Sequence, residues 1–235
     1  MLKDKRSTYS LLIVMLISLA SEQSGYALQK MLLAKNGRAL VGIVMPANPS
    51  ITQQFACSEL AKYLQQISDA DLLIDSDVHA QQPAMFIESN GKLNEEDYSI
   101  SIRNHNIILS GGSDRAVLYA VYDFLQRLGC RWLAPDLSFY KGLAEYIPHK
   151  PELAYKASQN IHEHPQFIYR KLDVEEGRSH NAENLKQIID WMPKLRFNIL
   201  MVPLNYGGSG RVQWDKWRKE LTPELKKRGL LIEVG

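Results

Sequence analysis

The chain of 235 residues is 45% hydrophobic and 23% charged, ordinary values for a folded globular protein that exclude a disordered or low-complexity chain. Its 28 Lys plus Arg stand against 26 Asp plus Glu, a net charge of +2, and no basic stripe interleaved with aromatics runs through it. A nucleic-acid partner is therefore not expected.

Lys3, Lys5 and Arg6 make a basic start, Leu11 to Ala20 (LLIVMLISLA) an apolar run, and Ala20, Ser21 and Ala27 offer small residues to a peptidase. This order of features is that of a secretory signal. Residues 1–27 are assigned to it, and the mature protein is expected to begin between Ser21 and Leu28 and to be exported, periplasmic or extracellular. The apolar run falls short of the roughly 20 residues a membrane span needs, so no stable membrane insertion is expected after cleavage.

Ala39 to Met45 (ALVGIVM) is a short apolar run closed by Pro46, Asn48, Pro49 and Ser50, the pattern of a buried strand and turn. From Ile51 to Ile67, Phe55, Leu60, Ala61, Leu64 and Ile67 recur at helical spacing, with Ser50 placed to cap. Asp71 to Asp75, Ala84 to Glu88, Tyr98 to Arg103 and Asn106 to Ser110 read as strands, the last two joined by a tight Asn104-His105 turn. Gly111-Gly112-Ser113 then opens a helix over Asp114 to Leu128, which Gly129 closes. The sum is an α/β unit, a small mixed-sheet domain with two helices, over residues 28–140. Cys57 and Cys130 both sit in apolar contexts and are expected as two buried thiols.

Residues 141–164 lose periodicity around Pro148 and Pro151 and are expected to be an extended linker. From 165 to 235 the rhythm changes. Phe167 to Val174 reads as a strand, Asn181 to Leu195 as a helix, Phe197 to Leu204 as a strand, Trp214 to Arg228 as a helix and Gly229 to Val234 as a strand. An alternation of this kind requires a parallel sheet with right-handed crossovers. It is expected to be the first β/α units of an incomplete (β/α)8 barrel.

The run GGSDRAVLYAVYDFLQRLGCRWLAP (Gly111 to Pro135) resembles the accessory domain that precedes the catalytic barrel in family 20 β-hexosaminidases and family 67 α-glucuronidases. SELAKYLQQISDADLLI and DYSISIRNHNIILSGG are similar to the first helix and last hairpin of that domain, and PQFIYR with LDV to the first barrel strand of family 20. The resemblance implies a sugar-contacting Arg at Arg170. It departs after the second strand, where VPLNYGGSG (Val202 to Gly210) stands in place of the polar His- and Asp-containing segment of family 20. That departure favours the α-glucuronidase type, which releases glucuronic acid side groups from xylan-type polymers, or a sister family, over removal of terminal hexosamines.

Barrel enzymes build their sites at the carboxyl ends of the strands. Arg170 is expected there, as are Asn205 and Tyr206 with the glycine-rich loop that follows them, and all three are candidate substrate contacts on a carbohydrate. Trp214 and Trp217, three apart on a helix, are expected to pack rather than to bind sugar. Gly111-Gly112-Ser113 lacks the spaced glycines of a nucleotide site and is expected to be a structural turn capped by Ser113 or Asp114. His162, His164 and His180 lack a completing Cys or carboxylate set, so no metal and no other cofactor is expected. Glycoside hydrolysis needs paired carboxyl functions. Glu175, Glu176 and Glu233 form no such pair, and in the resembled families the acid comes from later strands, so no catalytic residue is assigned and the chain is expected to be the inactive amino-terminal portion of an exported glycoside hydrolase. The alternative is a noncatalytic exported glycan-binding or interaction module.

Overall fold

The computed structural model describes residues 29–76, 83–157, 160–174, 181–202 and 210–234. Residues 1–27, expected to be a signal, and Asn205, Tyr206, Glu175, Glu176 and His180 lie outside the described residues.

The chain enters through β1 (Gln29–Lys35) and turns at Asn36 and Gly37, both with positive φ, into β2 (Arg38–Ala39). After β3 (Gly42–Val44) comes α1 (Ile51–Ser68), whose cap is reciprocal: Ser50 Oγ accepts from the Gln53 amide, and Gln53 Oε1 accepts from the Ser50 amide. Then follow β4 (Ile74–Asp75), β5 (Ala84–Ser89), β6 (Tyr98–Arg103) and β7 (Asn106–Gly111). Asn104 and His105 both have positive φ, the geometry of a two-residue hairpin turn whose twist matches its strands. The fully hydrogen-bonded β6–β7 register is the result.

Gly111 and Gly112 join β7 to α2 (Asp114–Leu128). A Cβ on Gly111 would overlap the Val117 amide, and one on Gly112 the Asn94 carbonyl, so backbone crossing backbone at this turn requires glycine. Ser113 Oγ caps the helix by accepting from the Ala116 amide, and Gly129 ends it in the left-handed region at φ 117°. Buried side chains ring α2 rather than forming one stripe. A helix apolar on all sides is covered on all sides, and α2 lies between the sheet, α1 and the second unit.

The segment 141–164, expected to be a linker, carries three strands. After β8 (Arg131–Trp132), β9 (Glu145–Tyr146) pairs with it, β10 (Glu152–Ala157) pairs antiparallel with β1, and β11 (Ile161–Glu163) pairs with β6. In β10, buried Leu153 and Tyr155 alternate with exposed Glu152 and Lys156, a two-residue period too short to stand out between prolines. The first unit thus holds a mixed six-stranded sheet, order β11-β6-β7-β5-β3-β4, and a three-stranded sheet, order β10-β1-β2. Cys57 and Cys130 are free and buried in its core, and burial pushes each thiol up to about 12.

The second unit runs β12 (Lys171–Asp173), α3 (Ala182–Trp191), β13 (Ile199–Val202), α4 (Gly210–Lys227) and β14 (Leu231–Val234). All three strands are parallel, in the order β12-β13-β14. The α3 helix stops earlier than its apolar pattern suggests. Pro193 has no N–H to continue the ladder, and Met192–Leu195 tighten into a 3-10 turn ended by Arg196 at positive φ. Leu185, Ile189, Met192, Leu200, Leu221 and Leu225 form the core, against which Trp214 and Trp217 pack. This is the α/β mixed-sheet domain followed by β/α units of a barrel type.

Candidate functional site

Three parallel strands have two ends, and the chain treats them differently. The carboxyl ends lead into residues 175–180 and 203–209, outside the described residues, where Asn205 and Tyr206 lie. The amino ends face the first unit. There Arg170 and Asn198 converge with Arg115 on one buried carboxylate, Glu96, from the turn before β6, and the Gly229 carbonyl holds Arg115.

Glu96 is 5% exposed in its side chain and serves four donors. Arg115, in the first turn of α2, donates Nε to Oε1 at 3.0 Å, and its Nη2 closes on the same oxygen. Arg170 Nη2 donates to Oε2 at 2.5 Å and Asn198 Nδ2 to the same oxygen at 3.2 Å. Each arginine is then held from the rear by carbonyls. Arg115 Nη1 donates to Gly229 O at 2.6 Å, while Arg170 donates Nε to Arg196 O at 2.5 Å and Nη1 to Phe167 O at 2.6 Å. Burial lowers the Arg115 basicity, and the Glu96 hydrogen bond together with the charges of Glu96 and Glu95 outweighs it, leaving the guanidinium charged. The Arg170 guanidinium also lies over the Tyr119 ring at 5.5 Å.

Arg170 thus stands immediately before β12, not toward its carboxyl end, and its fork is engaged with Glu96 and backbone oxygens. A sugar contact at Arg170 would require it to release Glu96. Reasoning from the sequence missed Glu96 itself. Glu95-Glu96-Asp97 reads as a solvated acidic turn, yet only Glu95 is exposed.

Asp97 turns the other way. Its Oδ2 accepts from Asn94 Nδ2 at 2.8 Å, its Oδ1 meets His164 Nδ1 at 2.6 Å, and His162 Nε2 lies 3.6 Å from it. Burial raises the Asp97 carboxyl, and the His164 and Asn94 hydrogen bonds outweigh that and hold it below the usual carboxylate range. His162 and His164 therefore flank a carboxylate that fastens β11 to the turn before β6. Among the described residues, no group of three or more His, Cys, Asp or Glu side chains is arranged to hold a metal ion. Among the same residues, no helix is long and apolar enough to cross a membrane. Glu233 on β14 is engaged at 3.0 Å by Lys171 on β12, reaching across the intervening β13.

No family model and no curated protein matches the chain. Solved structures do. A family GH115 4-O-methyl-α-glucuronidase with specificity for decorated arabinogalactans superposes with a TM-score of 0.61 over 87% of this chain, at 12% identity. The fold is shared with glycoside hydrolases. A Streptomyces plicatus β-hexosaminidase matches with a TM-score of 0.59 over 90% of the chain at 14% identity, and a Vibrio harveyi GH20 exo β-N-acetylglucosaminidase with 0.53 over 88% at 14%. The chain spans 29%, 44% and 33% of the glucuronidase, the hexosaminidase and the glucosaminidase. In each case the likeness takes in both units of the chain. The α-glucuronidase among them is of family 115, whereas the sequence resembles family 67.

Proposed function

We propose that this chain is the amino-terminal portion of an exported glycoside hydrolase acting on polysaccharides or glycans, of α-glucuronidase or β-hexosaminidase type. The observation that supports it most is the pairing of a mixed-sheet domain with parallel β/α units in one arrangement that glycoside hydrolases share over 87–90% of this chain. In a barrel enzyme the chemistry sits at the strands' carboxyl ends and the opposite end serves stability. The Glu96 cluster at the amino ends therefore docks the first unit, and sugar contacts belong to the loop carrying Asn205 and Tyr206. The catalytic carboxyl pair is assigned to neither described unit.

The test is to assay the full-length gene product on aryl N-acetylhexosaminides and glucuronoxylan fragments, with residues 1–235 alone beside it. Turnover by the full-length protein on one substrate class and none by residues 1–235 is expected. Inactivity of the full-length protein on both classes would overturn the reading, and turnover by residues 1–235 would place the carboxyl pair inside them. Export is checked by N-terminal sequencing of the secreted material. A start between Ser21 and Leu28 is expected, and an intact Met1 on membrane-held protein would refute it.

A further inference from the structure

A concavity of about 620 Å³ opens in the first unit, between β1, the residues leading into β3 and β5, and the tip of the β6–β7 hairpin. Strands β3, β5 and β7 run parallel, so it lies at their amino ends. Glu96 and Arg115 stand beyond the carboxyl end of β7, where Tyr98 pairs with Gly111. The concavity is thus at the far end of the sheet from the tie between the units, and its described lining comes from the first unit alone.

Its floor is apolar, made by Leu32, Leu40, Pro83 and Ile102. The core of the unit takes up Ile102, but Leu32 and Leu40, both half-buried, belong to neither core cluster. Apolar surface left over in this way still gains by being removed from water.

The rim is polar and of one sign. Lys30, Asn104 and His105 line it, and among the described residues no carboxylate does. Asn104 and His105, exposed at the hairpin tip, have no side-chain hydrogen-bond or ion-pair partner among the described residues. Lys30 meets Glu152 at 3.2 Å, but Lys35 holds the same carboxylate at 3.2 Å, so two ammoniums share one negative charge. Lys156 stands directly opposite Lys30 on β10, and like charges facing each other across a strand pair repel. Positive charge around Lys30 therefore exceeds negative, and an anion placed there relieves the repulsion.

We propose that this concavity binds a small amphipathic monocarboxylate, its apolar body on Leu32, Leu40 and Ile102 and its carboxylate on Lys30 and the Asn104-His105 tip. Small-molecule sites are concave, about 300–1,000 Å³ in volume, and mostly apolar with a few polar groups that fix orientation, and this one has that character. A sugar is disfavoured, because hydroxyls set on an aliphatic floor lose water without gaining a partner. The site is separate from any catalytic one and does not rest on hydrolysis by this protein.

A methyl-resolved NMR titration of the protein with 4-phenylbutyrate tests it, with 4-phenylbutanamide as the uncharged probe and acetate as the probe without an apolar body. 4-Phenylbutyrate binds in the millimolar range, as a ligand of its size does, and shifts the methyls of Leu32, Leu40 and Ile102. The amide and acetate bind about tenfold more weakly or less, the first for want of a charge-assisted hydrogen bond and the second for want of apolar contact. Lys30→Ala, at an exposed position, weakens 4-phenylbutyrate by about fivefold or more and leaves the amide unchanged. Leu40→Glu sets a carboxylate against the ligand and abolishes binding, and Lys30→Ala decides the matter should Leu40→Glu fail to fold. Unmoved methyls with 4-phenylbutyrate, equal affinity for the amide or for acetate, or affinity kept in Lys30→Ala would overturn the assignment. A protein that hydrolyses glycans and fails these tests loses this site alone.

Discussion

Replacing Glu96 by Gln probes what holds the two units together. The carboxylate neutralises two guanidiniums, Arg115 at 10% and Arg170 at 18% side-chain exposure, and accepts four hydrogen bonds. Gln keeps the volume, removes the charge and turns one acceptor into an amide that points its own N–H groups at one of the donor sets. Breaking a buried ion pair costs about 3–5 kcal/mol. Both arginines keep carbonyl partners, Gly229 O for Arg115 and Arg196 O with Phe167 O for Arg170, so the lower end applies, about 3 kcal/mol. Urea denaturation measures it directly. With a slope of about 1–3 kcal/mol/M, the midpoint falls by about 1 M or more at unchanged slope. Lys30→Ala, which removes an exposed partner of Glu152, serves as control and shifts stability by less than about 1 kcal/mol. A loss below about 1 kcal/mol in Glu96→Gln would refute the reasoning. A double-mutant cycle with Arg170→Met isolates the pair, and additivity of the two changes would remove Arg170 from the tie.

Gly111→Ala forces a methyl group into the Val117 amide and is expected to lower stability by about 1–3 kcal/mol, the range for overpacking; an unchanged melting temperature would show that the turn relaxes freely. Cys57 and Cys130, with thiols pushed up to about 12 by burial, remain unreactive toward a chromogenic disulfide reagent at pH 8 until urea unfolds the chain, and two fast-reacting thiols in the native protein would contradict their burial. Asp97 has its folded-state value depressed, so its contribution is fully present above the ordinary Asp range near pH 4 and is lost as pH falls through the lower folded value. Asp97→Asn should therefore flatten the acid limb of stability below about pH 4, and an acid limb identical to that of the unaltered protein would assign it to other carboxylates.

What the sequence made legible was local. The helix over Asp114 to Leu128 is found with the same ends in the structure, because its signals sit inside one stretch of chain: apolar period, Ser113 cap and Gly129 stop. The parallel strand and helix alternation after residue 165 was legible for the same reason. Strand β1 was missed and residues 141–164 misjudged because both depend on pairing across more than 100 residues, Lys35 to Glu152 and Gln29 to Ala157. A six-residue run such as ELAYKA carries too few alternations to declare itself without its partner.

The interface was illegible for a stronger physical reason. Nothing near Glu96 in sequence separates it from Glu95: they are adjacent, alike and embedded in a polar turn, yet one is 74% exposed in its side chain and the other 5%. Charge is removed from water only where compensating donors are already assembled, and those donors come from α2, from the approach to β12 and from the approach to β13. The burial of Glu96 is thus a property of docking, fixed when the second unit presents Arg170 and Asn198 to the first. The same holds for Lys194, whose counter-charge is split between its own helix at Asp190 and the β8–β9 ribbon at Glu145. A buried charge with partners on two units marks their joint geometry as specific, because neither unit alone satisfies it. The first unit without the second would leave Glu96 with Arg115 as its one charged partner, so the two are expected to unfold as one cooperative body.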